Sequence, residues 1–354
     1  MNADLAASPA PRHHVIIGNG VAGNQAAELL RDRDPESRVT ILTHSRLLFY
    51  NRYRLPRIFQ DVTSWPELLA LPPEHYAARR IHVRRECRVS AVDPRNRLVK
   101  LAHNETIPYD TLLVATGGRG HLPEELAEYR PLFHHFGSYE AAMATRRALP
   151  DRGAVVMLGG DMIGLDLART LLAIQCRVIL VTHETTFWPH ALTPEERAEA
   201  LSTLETMGIE VIDGDARGGI VAVEQGAPGL PARRVRFHNG GDLYGDVVMP
   251  CFGLTPMVEF MVGTGIDIER GVLVNPQLRT SDPCIFAAGD VCQIWSEEER
   301  AYRFYYGYRN VRAMGAVAAV NMTGGQEAFA TTRAESIGRD AQGRIDSSFW
   351  VYEA

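Results

Sequence analysis

The sequence predicts an α/β protein with two parallel-sheet βαβ units, and three observations carry that prediction. At residues 14–42 an apolar run ends in a glycine-rich turn, a helical pattern follows, and a second apolar run closes the unit. The same succession returns at residues 154–181. A hydrophobic content of 45% over 354 residues supports a sizeable core in two domains or one large one.

The elements follow in order. Val15-Ile16-Ile17 reads as a buried parallel strand. Gly18-Asn19-Gly20-Val21-Ala22-Gly23 fits G-x-G-x-x-G, and Ala26, Ala27, Leu29 and Leu30 continue it as a helix. Gly18 permits the tight turn, Gly20 lets the backbone approach a pyrophosphate, and Gly23 lets the helix pack close to the strand. Unpaired N–H groups at the helix start, with its dipole, favour phosphate. The pattern is a dinucleotide-binding fingerprint. The acid expected about 20 residues beyond the glycines, to bind a ribose hydroxyl, is replaced by Thr43. In LLFYNRYRLP (residues 47–56), Arg52 and Arg54 are placed to neutralise a diphosphate or to lie as solvated surface charge.

Residues 61–80 read as a short helical excursion, and residues 81–101 as strands around the turn Asp93-Pro94-Arg95-Asn96. Residues 109–118 give a buried strand ending in Ala115-Thr116-Gly117-Gly118. The second βαβ unit then opens with the strand 154–158 and the turn Gly159-Gly160-Asp161-Met162-Ile163-Gly164. A repeated nucleotide-binding unit implies two crevices and two nucleotides. Thr193 is the expected N-cap, and Gly208 the C′ residue, of a further helix. Short strands fill residues 211–249, an apolar strand ends in Gly289-Asp290, and a helix spans residues 309–321.

Composition narrows the function. A net charge of −6 without a long basic run argues against nucleic acid as the main partner. No apolar stretch approaches the roughly 18–20 residues of a membrane span. Residues 1–14 lack the apolar region of a secretory signal and read as a frayed tail. Five scattered cysteines (Cys87, Cys176, Cys251, Cys284, Cys292) favour a reducing cytoplasm over a disulfide framework. Cys284 and Cys292 read as buried small hydrophobes, and His13-His14 and His134-His135 as surface pairs without metal-ligand spacing. No metal site is expected, and the oligomeric state is left open.

Together these motifs resemble the FAD-dependent pyridine nucleotide-disulfide oxidoreductases, in the branch of rubredoxin reductases and nitrite reductase flavin modules. The resemblance covers residues 13 to about 325. It rests on six features in the family's order: the first fingerprint, YNRYRLP, Ala115-Thr116-Gly117-Gly118, GGDMIG, Gly253-Leu254-Thr255-Pro256, and Ala287-Ala288-Gly289-Asp290. It implies two Rossmann-like domains. An FAD domain is made from residues 1–119 and 246–325, with an NAD(P) domain inserted at 120–245 and a reduced tail at 326–354. The FAD positions implied are Gly18, Gly20, Val21, Ala22, Gly23, Thr43, Arg52, Thr116, Gly117, Gly289 and Asp290. Those for NAD are Gly159, Gly160, Asp161, Ile163, Gly164 and Glu184. NADH is favoured over NADPH because Glu184 is placed to hold a ribose diol and no arginine lies nearby in sequence.

The resemblance further implies hydride transfer from NAD(P)H to FAD, with electrons passing to a redox protein or small acceptor. The alternative is a flavin-binding subunit of a redox complex with no NADH turnover. Several departures bear on the choice. Tyr53 stands where disulfide-reducing members carry a cysteine, so dithiol chemistry is not expected. Asp166 takes the place where the family often has a glutamate near the nicotinamide, or is a helix-surface acid. The aromatic run 304–308 reads as packing more readily than as a flavin stack. Only 64 residues follow Asp290, too few for the family's dimerisation domain. Asp161 replaces the central glycine of the second fingerprint. Its carboxylate either repels a diphosphate at ~5 Å, costing about 3 kcal/mol at an effective dielectric near 20, or caps its own helix. On the capping reading, Asp161→Gly costs only a few tenths of a kcal/mol in stability.

Overall fold

A computed structural model describes residues 11–60 and 64–331. The expected tail at 326–354 therefore lies largely outside the described residues. The chain forms two compact units. Among the described residues, one holds 11–50, 69–118 and 256–331, and the other holds 51–60, 64–68 and 119–255.

In the first unit, β1 (His13–Ile17) leads through α1 (Val21–Arg33) to β2 (Arg38–Leu42), followed by β3 (Ile81–Arg84) and β4 (Thr111–Val114). With the strand Ile285–Ala287 they make a five-stranded parallel sheet in the order Ile285–Ala287, β4, β1, β2, β3. Every residue of β1 is buried, so the strand runs apolar through its middle. Ala22, Ala26 and Leu30 lie one helical turn apart on α1 and are buried. The helix Tyr308–Met322 packs on α1 through Gly315, where a Cβ would come 2.4 Å from the Ala22 carbonyl oxygen. Small residues thus set the distance between the two helices.

The histidine pair His13-His14 opens β1 and is buried, against the surface placement expected from the sequence. His14, with no exposed surface, bonds Thr111 Oγ1 at 2.7 Å and Asp34 Oδ2 at 3.2 Å. His13 Nε2 meets Thr40 Oγ1 at 2.9 Å. A two-sided parallel sheet buries even the first residues of its central strand, and hydrogen bonds compensate the two rings.

In the second unit, β5 (Ala154–Gly159), α2 (Met162–Ala173) and β6 (Arg177–Thr182) repeat the βαβ pattern. They are followed by α3 (Pro194–Thr206), β7 (Glu210–Ile212) and β8 (Val247–Pro250). The sheet is parallel, in the order β7, β6, β5, β8. Because β8 pairs with β5, the chain leaves this sheet only after residue 250, beyond the boundary at 246 read from the sequence. Thr193 and Glu196 form a capping box at the start of α3, with bonds of 3.2 and 3.1 Å. Gly208 (φ 99°) follows its end in the left-handed region.

Candidate functional site

The first glycine-rich turn sits at the carboxyl edge of its sheet. Gly18 adopts φ 122°, and a Cβ there would lie 2.1 Å from the Ala115 carbonyl oxygen. At Gly23 a Cβ would lie 2.2 Å from the Gly18 carbonyl oxygen. Any side chain at either position would force helix and strands apart. Gly20 caps α1 with no side chain, and no acid occupies the first turn, which Val21 and Ala22 begin. The sequence reading missed how this turn is braced. Asn24 donates to Asn19 Oδ1 and to the Gly20 carbonyl, both at 2.9 Å, and accepts from the Tyr76 hydroxyl at 2.7 Å. In the sequence Asn24 stands at helical spacing from Ala27, Glu28 and Arg31, which marks no special role for it.

Ile17, Val114 and Ala287 stand in register on three adjacent strands. Two strand spacings amount to roughly 10 Å, so Gly289-Asp290 and the glycine turn flank a single short edge. Gly289 (φ 86°) makes the turn that ends the strand, and the Ala288 N–H donates to the Val114 carbonyl at 3.0 Å. Between them, Thr116 Oγ1 donates to the Met257 carbonyl at 2.9 Å and the Gly117 carbonyl accepts from the Met257 N–H at 3.0 Å. Thr43 is buried at the end of β2, and its Oγ1 accepts the Ser45 N–H at 3.2 Å. Arg52 and Tyr53 belong to the other unit, on a short turn that packs against α2; Asn51 Oδ1 accepts the Tyr53 N–H at 3.0 Å.

The second turn is built differently. Gly159 (φ 100°) and Gly160 (φ 81°) lack room for a side chain: a Cβ would meet the Cys251 carbonyl oxygen at 2.4 Å and Leu180 Cδ1 at 2.6 Å, respectively. At Gly164 it would meet Cys251 Sγ at 2.6 Å. Asp161, 6% exposed, is the N-cap of α2. Its Oδ1 accepts the Gly164 N–H and its Oδ2 the Gly253 N–H, both at 2.7 Å. Burial raises its pKa overall, with backbone N–H groups of Gly164, Gly253 and Ile163 opposing in part. The structure therefore selects the capping alternative.

The loop after β6 folds onto this turn. The Phe187 N–H donates to the Gly160 carbonyl at 2.9 Å, Thr186 Oγ1 donates to the Gly159 carbonyl, and Phe187 is fully buried. Glu184 is exposed on this loop. Arg197, distant in sequence, reaches the His183 and Thr186 carbonyls at 2.8 and 3.2 Å, so an arginine does stand by the end of β6. Asp166, half-buried on α2, has its pKa pushed up to about 6 by burial, with Arg169 opposing.

All five cysteines are free; Cys284 is half-buried and the other four are buried. Burial pushes the thiols of Cys87, Cys176, Cys251 and Cys292 up, away from the reactive thiolate. The aromatic run is packed on itself and its neighbours: Phe304 stacks on Tyr306 at 5.4 Å and Tyr305 meets Phe329 edge-on at 5.4 Å. Among the described residues no helix is long and apolar enough to cross a membrane.

The family model for pyridine nucleotide-disulphide oxidoreductases matches residues 12–322. The chain belongs to this family. Among relatives of this oxidoreductase is the ferredoxin--NAD(+) reductase component of the anthranilate 1,2-dioxygenase system of Burkholderia cepacia. It is 28% identical over 327 residues, covering 89% of this chain and 77% of the relative. The rubredoxin-NAD(+) reductase of Pseudomonas putida is 27% identical over 278 residues, 78% of this chain and 71% of the relative. The crystal structure of a covalent putidaredoxin reductase–putidaredoxin complex shares the fold, with a TM-score of 0.77 at 23% identity, over 89% of this chain and 76% of the other.

Proposed function

We propose that this oxidoreductase holds FAD in its first unit, takes hydride from NADH, and passes electrons to a small redox protein or another acceptor. The observation that carries the FAD reading is the shared sheet edge. A glycine turn without room for a Cβ, a helix capped by glycine, and Gly289-Asp290 stand at the ends of strands in register. These residues fit an FAD diphosphate. Gly18, Gly20, Val21, Ala22 and Gly23 would cradle it, and Asp290 would face the ribityl chain. Thr43 would approach the adenine-side ribose, with Thr116 and Gly117 beside the strand between the two motifs. Arg52 belongs to the other unit. When bound, FAD supplies two-electron acceptance with release of electrons singly or in pairs.

The relatives support the donor and the acceptor: those named above are ferredoxin and rubredoxin reductases of NAD(+). The free cysteines, with four thiols pushed up by burial, support electron transfer without a redox disulfide and a reducing, cytoplasmic setting. For the nicotinamide nucleotide, Gly159, Gly160, Ile163, Gly164 and Glu184 remain the proposed neighbours, with Asp166 further along α2. Asp161 does not fit a diphosphate there, because its carboxyl oxygens already hold the donors. That observation favours the second reading, a flavin subunit without NADH turnover. Steady-state reduction of ferricyanide with NADH and NADPH separates the two: turnover with NADH supports the first reading, and none with either nucleotide selects the second.

A further inference from the structure

The N-terminus of α2 can be accounted for donor by donor. A helix start leaves four N–H groups without intrahelical partners. Here the Asp161 N–H donates to the Cys251 carbonyl at 2.9 Å, and the Met162 N–H to the Trp188 carbonyl at 2.9 Å. The Gly164 N–H goes to the Asp161 carboxyl group at 2.7 Å, and the Ile163 N–H lies close enough to the same group to lower its pKa. The other carboxyl oxygen holds the Gly253 N–H on the loop after β8. The indole of Trp188 lies against Gly253, 2.7 Å from where a Cβ would stand. Phe187 and Thr186 cover the glycines. By contrast, α1 begins with a glycine cap, no side-chain bond and no acid in its first turn.

We infer that the second glycine-rich turn carries its own occupant: the Asp161 carboxyl group takes the place and the donors of a dinucleotide's diphosphate. A nicotinamide nucleotide therefore gains no affinity from its diphosphate in this unit, and Asp161 sets that specificity. The exclusion works by occupied donors and filled space, so it does not need the carboxyl group to be charged. The inference rests on the reading of NADH as donor only for its functional consequence; the occupancy itself is a property of the fold.

Isothermal titration of the FAD-loaded protein with ADP-ribose, which has the diphosphate but no nicotinamide, tests it directly. Wild-type protein should bind ADP-ribose no more than a few-fold tighter than AMP. Asp161→Gly frees the Gly164 N–H of α2 and the Gly253 N–H beside it, and should bind ADP-ribose about ten- to a hundredfold tighter than wild type. Inorganic pyrophosphate should raise the melting temperature of that variant and leave wild type unmoved. Asp161→Asn keeps the shape and one accepting oxygen but sets its NH2 against a second backbone N–H, so it should lose stability and, with the space still filled, gain no more than a few-fold in ADP-ribose affinity. Wild-type binding of ADP-ribose far tighter than AMP would overturn the inference, as would an Asp161→Gly variant that retains its fold and flavin yet gains no affinity. Should Asp161→Gly not fold, the wild-type comparison with AMP decides alone. Failure of NADH to reduce the flavin would refute the proposed donor and leave the ADP-ribose result standing.

Discussion

Replacing Asp161 by glycine should cost far more stability than a helix cap. Gly against Asp at an ordinary exposed N-cap loses a few tenths of a kcal/mol. Asp161 is 6% exposed and holds the Gly253 N–H, 92 residues away, as well as the Gly164 N–H of the helix. Its removal leaves buried donors with no partner, at about 1–3 kcal/mol each. Partial relaxation and water entry reduce the total, which we place at about 2–4 kcal/mol. Over a unit of this size that corresponds to a melting temperature lower by roughly 5–15 °C. Urea unfolding followed by circular dichroism measures it, with the slope unchanged if native compactness is retained. A loss below about 0.5 kcal/mol would show that the carboxyl group is an exposed cap without the Gly253 bond.

Three further outcomes are expected. Asp290→Ala should lower the FAD content of the purified protein much more than its unfolding midpoint, whereas full flavin retention would remove Asp290 from the site. Stability should fall as pH drops below about 6.5. Burial, the leading cause, holds His14 below its ordinary value, so the unfolded chain binds more protons in that window. The contribution is complete above the unfolded value and is lost as pH falls toward the folded one; unfolding midpoints at pH 7.5 and 5.5 check it, and His14→Asn should flatten the dependence. Replacing all five cysteines by serine or alanine should leave NADH-driven acceptor reduction within a few-fold, while its collapse in a folded, flavin-bearing variant would reveal a redox sulfur.

Much of this was legible in the sequence because its signals are local. The glycines at 18 and 23 announce a turn that a Cβ would block, and the structure supplies the blocking carbonyls. Thr193 announces the start of a helix and Gly208 its end, and the structure adds Glu196 to complete a capping box. What stayed hidden depends on partners remote in sequence. Whether Asp161 faces a ligand or caps a helix is decided by Gly253 and by the loop carrying Trp188. Arg197 reaches the end of β6 from the next helix, which no spacing rule near Glu184 anticipates. The burial of His13 and His14 follows from a central strand flanked on both sides, and two polar residues before an apolar run do not report their neighbours.

Extraction of the flavin from denatured protein, paired with anaerobic titration of the intact protein by NADH, addresses the central claim most directly. One FAD per chain and progressive bleaching of its oxidised absorption band are the predicted results, with high NADH concentrations needed for full reduction. Colourless protein that also fails to take up added FAD would contradict the assignment of the first unit and with it the proposed activity.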